Sequence, residues 1–277
     1  MGEHTGIAWT DSTFNIAWGC LRVSDACKFC YADTWAKRMG LDLWKPGGER
    51  RTFGAKHWNQ PLKWQRQAER DGKVHRVFCS SMCDVFEDHP TLAIERVKLW
   101  SLIEATPLLT WQLLTKRPEN MLEFTPSTWR RAWPRNVWAM TTAENGEELA
   151  RRVPYLADVP AVVRGLSIEP MLGCAPAHQL RCVLPTLKAG WDGEHDAAVW
   201  VVTGGESGPH ARPFDLAGVL AIRDVCAELG ATWFHKQHGE LWAKANRRPL
   251  EKRHPHGADP AEWAPEFRVQ RFPQAAP

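Results

Sequence analysis

The stretch Trp18-Gly19-Cys20-Leu21-Arg22-Val23-Ser24-Asp25-Ala26-Cys27-Lys28-Phe29-Cys30-Tyr31 carries three cysteines in a C-x6-C-x2-C pattern, with the aromatic Phe29 just before the last. Three closely spaced thiols suit a soft metal centre. Three thiolate ligands leave one iron of a [4Fe–4S] cube open, whereas a structural zinc site normally takes four protein ligands. The stretch also sets a local order of elements. Residues 14–18 before it are a mostly apolar run that reads as a short strand. Residues 32–39 after it read as a helix, so strand, cysteine loop and helix follow one another.

Working outward, the same alternation recurs. Strand-like runs lie at 77–81, 110–115, 137–141, 162–168, 198–203 and 232–236. Helical patterns lie at 92–105, 147–156 and 216–229, with shorter pieces at 119–124 and 128–133. Gly230 follows the last long helix as a C′ residue. Strands alternating with helices imply a parallel sheet with right-handed crossovers. The strands are apolar on both faces, which fits a sheet covered on both sides or closed on itself. The expected fold is therefore α/β, a partial or full parallel β/α (TIM-like) barrel of about seven β units, with the cysteine loop after the first strand.

Two segments interrupt the pattern. Residues 40–73 contain Pro46, Gly47, Gly48, Gly54 and Pro61 with Trp44, Trp58 and Trp64 between them, and one short helix at 62–70. They read either as a lid over substrate or as an excursion that packs its tryptophans on the barrel. Residues 175–195 are less regular, with 177–187 partly helical. The expected organisation is a barrel over 1–242, with 40–73 inserted, and an irregular basic, proline-bearing tail over 243–277. That tail holds Arg247, Arg248, Lys252, Arg253, His254 and His256. It reads as a solvated end or as a nucleic-acid contact.

Composition narrows the setting. The chain has 277 residues, 44% hydrophobic and 24% charged, enough for a sizeable core. A net charge of +3 does not by itself point to nucleic acid, for which a clustered patch is needed. No run of eighteen apolar residues suggests a membrane span. The first residues lack a basic and then apolar leader, so a cytoplasmic location is expected. Eight cysteines in such a chain read as reduced thiols and metal ligands rather than a disulfide framework. The sixteen tryptophans must supply core and pocket walls.

In parallel β/α barrels the site forms where the strands end. Here each predicted strand runs from apolar residues into charged or hydrogen-bonding ones. The ends carry Cys20, Asp84, Lys116 and Arg117, Glu144, Glu169, Glu206 and Lys236. Such a ring implies a polar pocket, or salt bridges around a rim. Gly204 and Gly205 let backbone approach a ligand, and N–H groups there could hold a carboxylate. The pair is not a phosphate loop, since no Gly-Lys-Ser/Thr follows.

The thiols themselves leave three readings. A zinc site would need a fourth ligand from Cys79, Cys83, His235 or His238. A redox pair at Cys27 and Cys30 would leave Cys20 unused. An iron–sulfur centre would sit at the polar mouth with one iron facing the pocket, free to bind a small chelating molecule.

With these residues in view, the chain resembles the radical S-adenosylmethionine (SAM) superfamily. Its usual motif is C-x3-C-x-aromatic-C in the loop after the first strand of a β/α barrel. Cys27-Lys28-Phe29-Cys30 matches the second half, whereas six residues rather than three separate Cys20 from Cys27. The superfamily's Gly-Gly-Glu motif follows the second strand, so that role does not pass directly to Gly204-Gly205-Glu206, which follows the predicted sixth.

More closely, the chain resembles a phage-associated family named for gene products thirty-seven and sixty-eight, over about residues 7–242. The likeness rests on Trp9-Thr10-Asp11, Cys30-Tyr31-Ala32, Met82, Asp84 and Phe86, and Leu114-Thr115-Lys116-Arg117-Pro118. It continues in Ser167-Ile168-Glu169-Pro170, Gly204-Gly205-Glu206-Ser207-Gly208, Ala211-Arg212-Pro213, Lys236-Gln237 and Gly239-Glu240.

The superfamily resemblance implies a [4Fe–4S] cluster held by Cys20, Cys27 and Cys30, with SAM on the open iron. It implies reductive cleavage of SAM to a 5′-deoxyadenosyl radical, and an electron donor as partner. Phe29 would lie near the adenine. Asp84, Gly204, Gly205 and Glu206 are expected on the cofactor side, and Lys116, Glu169 and Lys236 in catalysis or positioning. The substrate is open, a nucleic acid or nucleotide being one class. The alternative is a non-enzymatic zinc-bearing barrel that binds nucleic acid or a protein partner.

Overall fold

A computed structural model describes residues 5–173, 176–190, 196–246 and 255–274. Seven parallel strands lie in strict sequence order: β1 (Ser12–Phe14), β2 (His75–Cys79), β3 (Leu109–Thr115), β4 (Val137–Thr142), β5 (Val163–Ile168), β6 (Ala198–Gly204) and β7 (Thr232–Gln237). The sheet curls into an open half-barrel rather than closing, because β1 and β7 remain edges. Nine helices are described: α1 (Tyr31–Arg38), α2 (Ala55–Trp58), α3 (Gln60–Asp71), α4 (Pro90–Glu104), α5 (Met121–Phe124), α6 (Gly146–Ala157), α7 (Ala177–Lys188), α8 (Leu216–Leu229) and α9 (Glu240–Asn246). Among the described residues no helix is long and apolar enough to cross a membrane.

Two apolar layers hold the half-barrel. The outer one lies between sheet and helices and includes Phe14, Val77, Trp111, Leu113, Leu166 and Val201. The inner one fills the lumen with Trp9, Phe78, Trp138, Met140, Trp200, Val202 and Phe234. This double burial explains why β4 and β5 have no exposed position. A Cβ on Gly165 would fall 2.6 Å from Met140 Cγ, so β5 carries glycine where Met140 occupies the lumen. Much of the tryptophan content is these two layers.

The first strand differs from expectation. It spans Ser12–Phe14, not 14–18. Beyond Phe14 the apolar run is buried by the inserted segment instead of by strand pairing. Trp18 forms an antiparallel bridge with Arg51, and Trp18, Leu43, Trp44, Ala32 and Met82 share a third small core. The insertion is thus packed structure beneath the cysteine loop. The piece expected as a helix at 128–133 is a single 3₁₀ turn, Ser127–Arg130. Gly230 takes φ +67° at the end of α8, as a left-handed cap requires.

The chain after α9 is not simply solvated. Trp263 and Phe267 are buried, His235 N–H donates to Val269 O at 2.8 Å, and Phe234 bridges Gln270. The segment therefore covers the free edge of β7, which would otherwise offer unpaired backbone. Of its basic residues, Arg247, Arg248, Lys252, Arg253 and His254 lie outside the described residues.

Candidate cofactor site

The cysteine loop begins at Gly19, which has φ +110° and lies so close to Leu43 that a Cβ would fall 3.0 Å from it. Only glycine fits there without strain. The loop then makes one 3₁₀ turn, Asp25–Cys27, and ends with Cys30 at the N-cap of α1. A helix N-terminus favours a thiolate. Burial raises the Cys30 thiol above its ordinary range, opposed by backbone N–H groups of Asp33 and Ala32. Burial and the nearby Asp84 raise Cys20 further, opposed by Arg117. A soft metal would remove that cost by taking the place of the thiol proton.

Four charged clamps hold the loop from neighbouring strand ends. Arg117, after β3, donates to Leu21 O at 2.6 Å and sits 3.7 Å from Cys20 Sγ. Its other partner is Asp84 Oδ2 at 3.0 Å. Asp84 also accepts from Thr115 Oγ1 at 2.6 Å and Lys116 N at 3.0 Å. Glu87 accepts from Leu21 N at 3.1 Å and from Arg50 Nη2 at 2.6 Å. Glu144, after β4, accepts from Ala26 N at 3.3 Å and pairs with Arg152 at 2.8 Å, both side chains fully buried. Glu206, after β6, takes Arg212 in a fork at 2.9 and 2.7 Å, and Arg212 Nη1 donates to Asp25 O at 3.0 Å.

Several expected ligand-binding residues therefore serve the wall. Asp84 and Glu206 border the cavity, but their carboxylates are engaged by Arg117 and Arg212. Gly204 and Gly205 are not among the residues lining the cavity. Space at Gly204 is taken by Glu169, whose Cδ would lie 3.0 Å from a Cβ there. Gly205 is pressed against backbone, where a Cβ would overlap His238 O and fall 2.8 Å from Gly239 Cα. Gly205 thus packs against the chain after β7, whereas Gly204 makes room for the Glu169 side chain.

What remains open forms one cavity of about 370 Å³ at the C-terminal ends of the strands. Its lining includes Cys20, Cys27, Phe29 and Cys30 together with Lys116, Glu169 and Lys236. Glu169 and Lys236 pair at 2.5 Å and stay partly exposed. The Lys116 ammonium acts electrostatically on both Cys30 and Glu144. Phe29 is flanked by His210, with ring centroids 5.5 Å apart, and by the Arg212 guanidinium at 5.2 Å.

The donor set fits an iron–sulfur cluster on two counts. The three cysteines are free and border one cavity. Cationic Arg117 and Lys116 stand beside them, where three thiolates would add negative charge. Among the described residues no group of three or more Cys, His, Asp or Glu, the three cysteines included, is gathered closely enough to hold a metal. The candidate fourth zinc ligands have other partners. Cys79 contacts Ser80 Oγ at 3.2 Å inside the core. Cys83 borders the cavity but also bonds Ser80, and burial pushes it up to about 12. His235 and His238 bond each other at 2.9 Å behind Trp263 and Phe267.

Sequence reading did not find Arg50, Glu87 or Arg152. The pairings of Arg50 and Glu87 depend on how the insertion folds back, and no local spacing announces them. Arg212 lay within a quoted motif but without a role. A signal did exist for Arg152, an arginine one helical turn after Glu148, with which it also pairs at 2.8 Å.

The family described as "Protein of unknown function (DUF5131)" matches residues 4–264. No curated protein matches. Two solved structures of spore photoproduct lyase share the half-barrel fold. One, a cysteine-to-serine mutant, aligns with TM-score 0.56 and 11% identity, covering 82% of this chain and 76% of that one. The other, a tyrosine-to-phenylalanine mutant, aligns with TM-score 0.53 and 11% identity, covering 80% and 75%.

Proposed function

The chain belongs to the DUF5131 family, whose description assigns no activity, and we propose that it is a radical-SAM-type iron–sulfur enzyme. One observation carries this reading: three free thiols and a lysine–carboxylate pair border one cavity at the strand ends of a half-barrel. Cys20, Cys27 and Cys30 would hold a [4Fe–4S] cluster, leaving its fourth iron to SAM. That pair supplies one-electron cleavage of the SAM sulfonium when reduced.

The chain's own residues orient and shield this chemistry. Phe29, stiffened by His210 and Arg212, offers a flat face for the adenine. Lys236 and Glu169 offer a cation and an anion side by side, complementary to a carboxylate and an ammonium on one small molecule. Lys116 keeps a cation beside Cys30. The buried clamps at Arg117, Glu87, Glu144 and Glu206 hold the backbone of the cysteine loop against the strand ends. Trp44, Met82 and Leu114 give the cavity apolar walls that exclude water.

An electron donor is the partner this chemistry requires. A nucleic acid or nucleotide remains the proposed substrate class. The phage-family resemblance spans nearly the residues of the family match and adds nothing on the reaction. Free thiols at all seven described cysteines support a reducing, cytoplasmic setting.

Anaerobic reconstitution tests the reading. Four irons per chain with cubane absorption, lost in Cys20→Ala, Cys27→Ala and Cys30→Ala, would support it. Zinc taken up in place of iron would overturn it.

A further inference from the structure

Helix α1 reverses the usual amphipathic order. Its buried face carries Ala32, Asp33 and Ala36, whereas Tyr31, Thr34, Trp35, Arg38 and the capping Met39 are exposed. The exposed positions are spaced i, i+3, i+4, i+7 and i+8, so they form one stripe along the helix. Tyr31 is 50% exposed, Trp35 41% and Met39 57%. Leu21 and Val23, in the loop before the helix, are exposed as well. Among the described residues twelve large apolar side chains are exposed, and five of them fall between residues 21 and 39. Single cases scattered over a surface need no explanation, but a cluster of this kind marks a surface that something covers.

The two aromatics are tied down. Tyr31 Oη donates to Ser81 O at 3.0 Å, and Trp35 meets Trp18 edge-on with ring centroids 5.0 Å apart. The Arg51 guanidinium lies over the same Trp18 ring at 5.0 Å. Tyrosine, tryptophan, methionine and arginine are the side chains enriched at protein–protein interfaces. The charge around them is mainly positive. Residues 20–39 expose Arg22, Lys28, Lys37 and Arg38 but a single carboxylate, Asp25. Their other acid, Asp33, is buried and already taken by Arg22 and Lys37. The complement of this face is a protein with an apolar patch ringed by carboxylates. A nucleic-acid strand would use the aromatics and the cations but would gain nothing from Leu21, Val23 and Met39.

We propose that the outer face of α1 is the docking surface for an acidic one-electron carrier protein. The assignment rests on the reading of the cavity as a radical-SAM site and says where its electron donor binds. Tyr31 follows Cys30 directly, and Trp35 lies about 7.5 Å along the helix axis from that cysteine. A carrier on this face therefore sits against the helix that the third cysteine caps. The chain has no second three-cysteine motif, so the electron comes from another molecule. In the transfer the carrier loses one electron and the cluster gains it, with no bond made or broken.

A flavodoxin and a plant-type [2Fe–2S] ferredoxin, both acidic, are the probes. Each is titrated by calorimetry into the full-length chain before iron loading, at rising salt. The proposal expects saturable binding of at least one carrier that weakens with salt. Trp35→Ala and Arg38→Glu should each weaken it about tenfold, the second without touching any packed side chain. Ile94→Glu, at an exposed site on α4, should leave it unchanged. In the iron-loaded chain the same two variants should slow reduction of the cluster by the reduced carrier about tenfold, and leave its reduction by dithionite unchanged. Binding of neither carrier, an equal loss in Ile94→Glu, or equal slowing with dithionite would overturn the proposal. Binding of a single-stranded oligonucleotide that both variants abolish would give the face to nucleic acid and overturn it too. If iron fails to load, the radical reading falls, while binding to the unloaded chain still decides the docking face.

Discussion

Arg117 reaches from the end of β3 to within 3.7 Å of the Cys20 sulfur, 97 residues earlier in the chain. The same guanidinium binds Asp84 and Leu21 O, so one side chain ties the first thiol to two strand ends. It follows that Arg117→Ala weakens cluster binding without removing a ligand. The expected loss is about 10–100-fold in metal affinity, read by competition with an iron chelator. Arg117→Lys keeps the charge but not the fork and should fall between.

The second clamp predicts a stability effect. Glu144 and Arg152 are both fully buried, so removing one leaves the other's charge in the interior. Glu144→Gln should cost about 3 kcal/mol in urea unfolding. Glu148→Gln, which removes the more exposed partner of the same arginine, should cost under about 1 kcal/mol.

Adjacent glycines should separate structure from function. An added methyl at Gly205 meets the His238 backbone, which cannot swing away. Gly205→Ala should cost about 2–3 kcal/mol in thermal unfolding. At Gly204 the obstacle is the end of the Glu169 side chain. Gly204→Ala should leave stability nearly intact and instead lower SAM affinity of the loaded chain, read by calorimetry, because Glu169 is pushed off Lys236.

Much of this was legible in the sequence. Six of seven strands fall within a residue or two of their expected places, because runs buried on both faces are visible without contacts. The first strand was misplaced because residues 14–18 are apolar for a different neighbour, the insertion. The three thiols and the polar strand ends were also visible. What each end does was not. Asp84, Glu144 and Glu206 look like ligand-binding acids in one dimension and become clamp anchors only once Arg117, Arg152 and Arg212 are brought to them.

The buried histidine pair gives a pH prediction. Burial lowers His238 to about 4, and burial together with His238 lowers His235 well below its ordinary value. Around His235 stand Thr203, Trp233, Phe214, Trp263 and Phe267, none of them charged. The unfolded chain takes up protons at these sites near pH 6.5, before the folded one does. Stability is therefore full above that pH and is lost as pH falls from about 6.5 towards 4. The His238 share is about 3 kcal/mol at the low end. Urea unfolding across this range should show the decline, and His238→Gln should flatten it.

The central claim is that the three thiols carry a cluster that opens SAM. Its most direct test is 5′-deoxyadenosine released from SAM by the reconstituted chain under reducing, oxygen-free conditions. The account predicts release that requires iron and disappears in Cys20→Ala, Cys27→Ala and Cys30→Ala. A chain that holds four irons and binds SAM yet releases none, or one that holds zinc alone, would contradict it.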